Sequence, residues 1–460
     1  MVPRLRSPYN KLRAERQAFA ERTRFAKNES YATGPSAVAP VSVLHAHVLY
    51  TRAVYTMIEN RYNVIIVGGG IVGLAVALEI TRRLPRLRLL VLEKEAGVGR
   101  HQSGHNSGVI HSGVYYKPGS LKAKLCVEGA RAMVEFCHEH GIPHKVCGKV
   151  IVATQEDELP RLEELLRRGE ANGLSGLRLI GPEELRQIEP HARGLRALVV
   201  PSTGITDYAT VCGKYAELIE SGGGTILTSS AVTNLRRGTD EIAIETYRGA
   251  FFAAHLINCA GLFSDRISRM GGEMSETVIV PFRGEYYNLA PESSSLVRAL
   301  IYPVPDPDFP FLGVHFTRRI SESVDAGPNA VLAFRREGYR RSDFSLRDLG
   351  ASLAFPGFWR MAAKHWRSGV GEFHRSFSKS AFVRALQRLV PDVRENDLVP
   401  GGSGVRAQAV KRDGTLVDDF HFVPSGRMLH ILNVPSPAAT ASLAISRAVV
   451  DMAAQHFAWR

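Results

Sequence analysis

Three observations predict an α/β + α+β fold, in which a Rossmann-like nucleotide-binding domain is interrupted by a second domain built on an antiparallel sheet. A strand, a glycine-rich turn, a helix and a second strand follow one another from Tyr62 within about thirty residues, the length of one βαβ unit. Apolar runs return near Val232 and over 254–260, as if the same sheet were being completed. Further on, 278–339 holds several β-like runs broken by prolines, the pattern of an antiparallel sheet in a separate domain.

Taken in order, residues 1–61 read as a leader. They carry ten Lys and Arg against four Glu, with many Ala and Ser, in the manner of a mitochondrial transit peptide. Glu15 and Glu21 count against targeting, and a disordered basic arm is the alternative. Asn63–Val67 is a short apolar strand ending in glycines. Residues 71–83 carry Val72, Ala75, Val76, Leu78 and Ile80 without a breaker and form a helix that Pro85 ends. Leu87–Leu92 is the next strand, closing on Glu93. The first domain is expected over 62–150, 201–275 and 396–460. The second is expected over 151–200, with a charged helix at 156–170, and over 276–395, with strands at 278–282, 285–289, 311–316 and 330–334. Residues 351–388 are aromatic, basic and helical in pattern, and an Ala-rich helix over 438–457 closes the chain.

At 460 residues there is room for two or three domains. The apolar fraction of 45% and charged fraction of 22% are those of a soluble globular protein. No stretch approaches the ~18 uninterrupted apolar residues of a membrane span, so any membrane contact is peripheral. The net charge is +13, of which the leader supplies six, and the mildly basic remainder does not predict a nucleic-acid partner. Five scattered cysteines without a C-x-x-C pair make neither a disulfide framework nor a zinc site, and no metal is expected.

Gly68-Gly-Gly70-Ile71-Val72-Gly73 fits G-x-G-x-x-G, where the glycines serve a tight turn, close approach of backbone to a diphosphate, and helix-to-strand packing. The diphosphate would rest on the free N–H groups at the helix start. Glu93, followed by Lys94, stands where an acid accepts from a ribose hydroxyl, which argues against a 2′-phosphate. These residues alone leave FAD and NAD open.

Downstream come His101-Gln-Ser-Gly-His105-Asn-Ser-Gly-Val-Ile-His111-Ser-Gly-Val-Tyr115-Tyr116-Lys-Pro118, Pro310-Phe-Leu-Gly-Val-His315-Phe-Thr317, Gly327-Pro-Asn-Ala-Val-Leu-Ala-Phe334, Gly404-Val-Arg406-Ala-Gln408 and Pro435-Ser-Pro-Ala-Ala-Thr440. From about Tyr62 onward this set resembles the L-2-hydroxyglutarate dehydrogenases of the D-amino-acid-oxidase-like FAD superfamily. The resemblance implies an FAD-binding Rossmann-like domain with a discontinuous antiparallel-sheet substrate domain, oxidising L-2-hydroxyglutarate to 2-oxoglutarate. For the animal enzymes it implies mitochondrial residence, with peripheral inner-membrane contact in question, and electrons passed to a respiratory-chain acceptor, quinone or electron-transfer flavoprotein. Carried onto this sequence, Ser103, His105, Asn106, Ser107 and Gly108 would run along the flavin, and Val232 would offer its backbone to the adenine. Asn258–Gly261, with Ala260 and Gly261, would be the third pass of the nucleotide-binding chain. Gly404 and Val405, with Ala438, Ala439 and Thr440, would close over the pyrimidine end of the ring. Two stretches depart from the pattern: 321–326 lacks apolar strand character, and the loop over 423–428 is short.

Oxidising a 2-hydroxy acid moves a hydride from the α-carbon to flavin N5 while a base takes the hydroxyl proton, work that suits a neutral histidine. Of sixteen histidines, His111 and His315 sit in glycine-flanked, mainly apolar motifs. The alternative for each is a core histidine satisfied by a carbonyl. The small dicarboxylate substrate calls for Arg forks, with Arg406 first and Arg283 second. A structural pairing of Arg406 with Asp418 or Asp419 is the alternative, and Tyr286, Tyr115 and Lys117 are further donors. A helix starting at Ala438 would aim its dipole at the reduced flavin. Rival readings are glycerol 3-phosphate, an amino acid or another hydroxy acid on the same scaffold, an RNA-binding flavoprotein, and a non-catalytic nucleotide-binding protein. Residues 351–388, with Phe355, Phe358, Trp359 and Trp366 among Arg360, Lys364 and Arg367, either meet a lipid interface or cover the second domain.

Overall fold

The computed structural model describes residues 60–306 and 312–459, so the expected leader lies outside the described residues apart from its last two. Asn60–Arg460 forms one compact unit around two large sheets.

The first sheet has Arg61–Val67 at its centre, parallel to Leu89–Leu92 on one side and Gly249–Asn258 on the other. Leu89–Leu92 adds Thr225–Leu227, and Gly249–Asn258 adds Met428–Asn433, both in parallel. An antiparallel arm, Val232–Arg237 and Ile242–Thr246, extends it beside Gly249–Asn258, and His421–Ser425 adds antiparallel to Met428–Asn433. The central strand is apolar on both faces because both are covered. Val64 and Ile66 point into a core with Leu74, Val76 and Ile80 of the helix Ile71–Arg83. Ile65 and Val67 point into another with Leu90, Leu92, Leu235 and Ile244. Helices Tyr208–Ser221 and Ser442–Phe457 flank Ile71–Arg83, and each fully buried Leu or Ile in this layer contributes roughly 1.5–3 kcal/mol.

The second sheet is mixed rather than purely antiparallel, since Leu300–Pro303 runs parallel to Lys149–Ala153. The two runs expected at 278–282 and 285–289 form one strand, Thr277–Leu289, which pairs along its length with Leu398–Lys411. This sheet therefore draws on 398–411, beyond the 276–395 stretch expected to supply it. The departure at 321–326 is also resolved. Val324–Gly327 is a buried strand between His315–Arg318 and Thr277–Leu289, and its polar Asp325 is held by Arg319 and Asn288. The aromatic segment is three helices, Leu346–Leu353, Pro356–Phe377 and Lys379–Gln387. The closing helix begins at Ser442, not Ala438, because 438–441 form a turn whose Ala441 N–H is donated to Pro437 O. No helix among the described residues is long and apolar enough to cross a membrane.

Candidate active site

Three glycines bring the first strand, the first helix and the strand Gly249–Asn258 into close contact. Gly68 has φ +114°, and a Cβ there would lie 2.4 Å from Cys259 O. A Cβ on Gly73 would lie 2.0 Å from Gly68 O. Gly70 precedes the helix in extended conformation with no side-chain cap, and no acid occupies the first turn. The helix thus presents its positive end and unsatisfied N–H groups to the cleft. Ile71 N–H is donated to Ser103 Oγ at 2.9 Å, and Val72 lines the cleft beside it. Buried Glu93 accepts the Gly69 N–H at 2.7 Å through one oxygen and the Glu95 N–H at 2.8 Å through the other. Each oxygen keeps a lone pair, so the carboxylate shapes the turn and can still accept from a ligand hydroxyl.

From this cradle one continuous cleft of about 1250 Å³ runs to the second sheet. Val232, Ala260, Gly261 and Lys94 line the end beside Glu93. The Lys94 ammonium lies 2.7 Å from His101 Nε2 and 2.5 Å from Glu337, and also contacts Glu95. Glu95, His101 and Glu337 are grouped closely enough to hold a metal ion, but Lys94 already supplies their cation. Along the middle, the loop 103–108 is held by Asn106, which donates to Gln102 O and Ser103 O and accepts the Gly108 N–H. Gly108, at φ +71°, passes so close to Thr206 that a Cβ would lie 2.5 Å from its carbonyl oxygen. Ser107 faces the cleft, and the His105 ring stacks on Tyr339 with centroids 4.1 Å apart. Gly404 and Val405 come from the long strand of the second sheet, and Ala438, Ala439 and Thr440 from the turn before the last helix. Thr440 Oγ accepts the His111 N–H at 3.1 Å, tying that turn to the other end of the cleft.

That other end gathers His111, His315, Tyr115, Tyr286, Tyr302 and Arg406. Burial and neighbouring cations push His111 down to about 3, and burial does the same to His315. Both rings are therefore neutral at pH 7. His315 Nδ1 lies 2.8 Å from Gly313 O and donates to it, leaving Nε2 as acceptor. His111 Nδ1 is buried without a hydrogen-bond partner. Burial also works against the Arg406 charge, opposed by Tyr286 and Glu372. The expected alternative partners of Arg406 are engaged elsewhere. Asp418 pairs with Lys122 at 2.9 Å, and Asp419 accepts the Leu121 and Lys122 N–H groups.

Arg283 requires a correction. Successive side chains of a strand point to opposite faces, and Gly284 and Tyr286 take the cleft side. Arg283 and Glu285 face the other way, where Arg283 Nη2 donates to Glu285 at 3.0 Å and Arg341, Asn329 and Ser376 complete the network. Arg283 is a buried structural cation, not a cleft residue. Two residues that sequence reasoning passed over stand at this end: Tyr302, whose ring lies on His315 with centroids 3.9 Å apart, and Lys149 behind it. The signal for Lys149 was a lone lysine opening the apolar run Val150–Ala153.

The comparisons agree with this geometry. Residues 63–452 match the family of FAD dependent oxidoreductases. The chain is 51% identical over 397 residues to the L-2-hydroxyglutarate dehydrogenase of Indibacter alkaliphilus, covering 86% of this chain and 100% of that one. It is 46% identical over 415 residues to the mitochondrial L-2-hydroxyglutarate dehydrogenase of Homo sapiens, covering 86% of this chain and 90% of that one. The fold superposes on the solved structure of dithionite-reduced L-alpha-glycerophosphate oxidase from Mycoplasma pneumoniae with FAD bound, with a TM-score of 0.71 at 21% identity, covering 87% and 95% of the two chains. An uncapped helix start, a cradle that any side chain would fill and a long cleft beyond it fit that dinucleotide, and FAD is the cofactor. The chain belongs to the FAD-dependent oxidoreductase family and, within it, to the L-2-hydroxyglutarate dehydrogenases.

Proposed function

We propose that this protein oxidises L-2-hydroxyglutarate to 2-oxoglutarate. The observation that carries the reading is the meeting of an unpartnered His111 nitrogen with Arg406 at one end of a cleft whose other end is a dinucleotide cradle. Bound FAD supplies the hydride acceptor. His111, neutral and with a free ring nitrogen, takes the substrate hydroxyl proton; His315 Nε2 is the second choice. Arg406 takes a substrate carboxylate through its planar fork, and Tyr286 stands beside it as a hydroxyl donor. The working division is an FAD-binding part over 62–148, 201–275 and the segment after 411, with the remaining segments building the substrate wall. A dye-coupled panel tests the reading. L-2-hydroxyglutarate should turn over far better than L-lactate or glycerol 3-phosphate, and equal rates on the three would reject it.

A mitochondrial address is supported by the basic leader and by the human relative's name. Peripheral membrane contact, and delivery of electrons to a respiratory acceptor there, is supported by the helix Pro356–Phe377. Beyond a kink at His365, Trp366, Val370, Phe373 and Phe377 recur at spacings of four, three and four, which puts them on one stripe, and Trp359 is exposed on the turns before the kink. Arg360, Lys364 and Arg367 are exposed alongside, so the stripe suits an anionic lipid interface. Replacing Trp359 and Trp366 with serine should abolish co-sedimentation with anionic vesicles; retained binding would remove this helix from the membrane contact.

A further inference from the structure

Lys149 opens the strand Lys149–Ala153 and is 3% exposed, yet its ammonium has no hydrogen-bond partner and forms no ion pair among the described residues. Its strand register places it with Ile151, Leu198, Val200 and Leu300, an apolar cluster. What the ammonium touches is two aromatic faces: the Tyr115 ring at 4.3 Å and the Tyr302 ring at 4.9 Å from its nitrogen. Both tyrosines line the substrate end of the cleft, and the Tyr115 hydroxyl is buried without a partner as well. An unpaired ammonium among apolar side chains is costly, and a structural lysine would be expected to have a carboxylate beside it.

The groups facing Lys149 are all neutral or cationic. They are Cys126 from the helix Leu121–Glu139, His111 and Tyr115 from the segment after Val109–Ile110, Tyr302 from Leu300–Pro303 and His315 from His315–Arg318, with Lys122 next to Cys126 and His111. Arg406 lies beyond His315 on the strand Leu398–Lys411. With Lys122 already paired to Asp418, Arg406 lines this end of the cleft directly, and Lys149 stands behind the Tyr115 and Tyr302 rings that line it.

We propose that Lys149 is a positioning residue of the substrate site: its ammonium, held behind Tyr115 and Tyr302, supplies the positive charge against which the pocket takes up one carboxylate of a dianionic substrate. The inference rests on the reading of this cleft as the site of a dicarboxylate oxidation. Burial keeps His111 and His315 unprotonated, and the Lys149 charge adds to that effect in a secondary way.

Burial pushes Lys149 down to about 7 in the free protein, and an arriving carboxylate must raise it. Substrate binding is therefore linked to proton uptake above pH 7. Affinity is full below pH 7 and weakens as pH rises through it, by up to about tenfold between pH 6 and pH 8.5, the cap being the loss of the one charge. The test is anaerobic flavin reduction of the FAD-loaded full chain by L-2-hydroxyglutarate in a stopped-flow instrument, which separates Kd from the limiting rate constant. Lys149→Met should fold at least as stably as wild type, keep FAD, and raise Kd at pH 6 by about tenfold, as expected for one charge removed across a protein interior. Its Kd should then be flat from pH 6 to pH 8.5, and the wild-type loss over that range should match the loss caused by the substitution, since both remove the same charge. The limiting rate should change much less than Kd. Should Lys149→Met fail to fold, Lys149→Gln carries the same expectations. A variant with wild-type Kd, or one that keeps the wild-type pH dependence, overturns the role of Lys149 while leaving the substrate reading intact. Wild-type flavin that stays oxidised overturns both.

Discussion

Replacing Gly73 with alanine adds a methyl where the first turn of the helix Ile71–Arg83 crosses the end of the first strand. Its Cβ would stand 2.0 Å from Gly68 O and 3.2 Å from Cys259 Cβ. The nearer obstacle is backbone, so no rotamer change relieves it. The helix must retreat by about 1 Å to reach the 3.0 Å below which Cβ atoms are essentially never found. That helix is anchored by Leu74, Val76, Leu78 and Ile80 in a close-packed core, and a rigid shift strains contacts along its length. Overpacking of this kind costs ~1–3 kcal/mol, and a backbone obstacle places Gly73→Ala at the upper end, about 3 kcal/mol. The retreat also carries the helix N-terminus away from the phosphate site, so FAD affinity falls with stability. Gly70→Ala is the control. At Gly70 the nearest atom to an added Cβ is Ser103 Oγ at 3.4 Å, and φ is −79°. Its apo stability should stay within ~0.5 kcal/mol of wild type, while the methyl on the cleft wall weakens FAD binding. Urea unfolding of the apo protein and FAD titration read the two quantities separately. Gly73→Ala with wild-type midpoint and affinity would refute the crossing geometry, and Gly70→Ala with wild-type FAD affinity would remove Gly70 from the phosphate site.

Arg406→Lys should retain FAD but raise KM for the dicarboxylate by at least tenfold with a smaller change in kcat, because the planar fork is lost; unchanged steady-state kinetics would take Arg406 out of the substrate site. Arg283→Leu should do the reverse, leaving KM alone while destabilising the protein by about 1–2 kcal/mol, since Glu285 keeps Arg341, Asn329 and Ser376 but loses its buried cation; a raised KM with normal stability in a urea titration would restore Arg283 to the site. His111 and His315, at about 3 when folded against ~6.5 when unfolded, bind protons less readily in the folded state. Their stabilisation is complete above pH 7 and is lost as pH falls from about 6.5 towards 3, about 2 kcal/mol for each by pH 5. His111→Asn should flatten part of that slope and lower kcat by ~10²–10⁴ with flavin retained; wild-type turnover would move the base to His315.

The parts of this protein that were readable from sequence are those where local chemistry and tertiary role coincide. The helix Ile71–Arg83 has its expected bounds because its glycine turn, its apolar face and Pro85 all act locally. The parts that were not readable depend on pairing across long separations. Arg283 and Tyr286 lie three residues apart, and only the register of Thr277–Leu289 against Leu398–Lys411 decides which of them meets the cleft. Asp325 makes its strand look polar because one partner, Asn288, comes from a distant strand, while Arg319 reaches it only across the turn that the hairpin closes. Ala438–Ala441 has helical composition, but it follows Pro435 and Pro437 and closes as a turn tied to His111 through Thr440. Lys149 was hidden for the opposite reason. A lysine at the edge of an apolar run reads as a solvated end until Tyr115 and Tyr302 are seen to cover it.

The most direct measurement is the visible spectrum of FAD-loaded protein before and after anaerobic addition of one equivalent of L-2-hydroxyglutarate. The flavin absorbance near ~450 nm should bleach within seconds, with 2-oxoglutarate formed in equal amount. A spectrum that stays oxidised with this compound but bleaches with glycerol 3-phosphate or an amino acid would contradict the account.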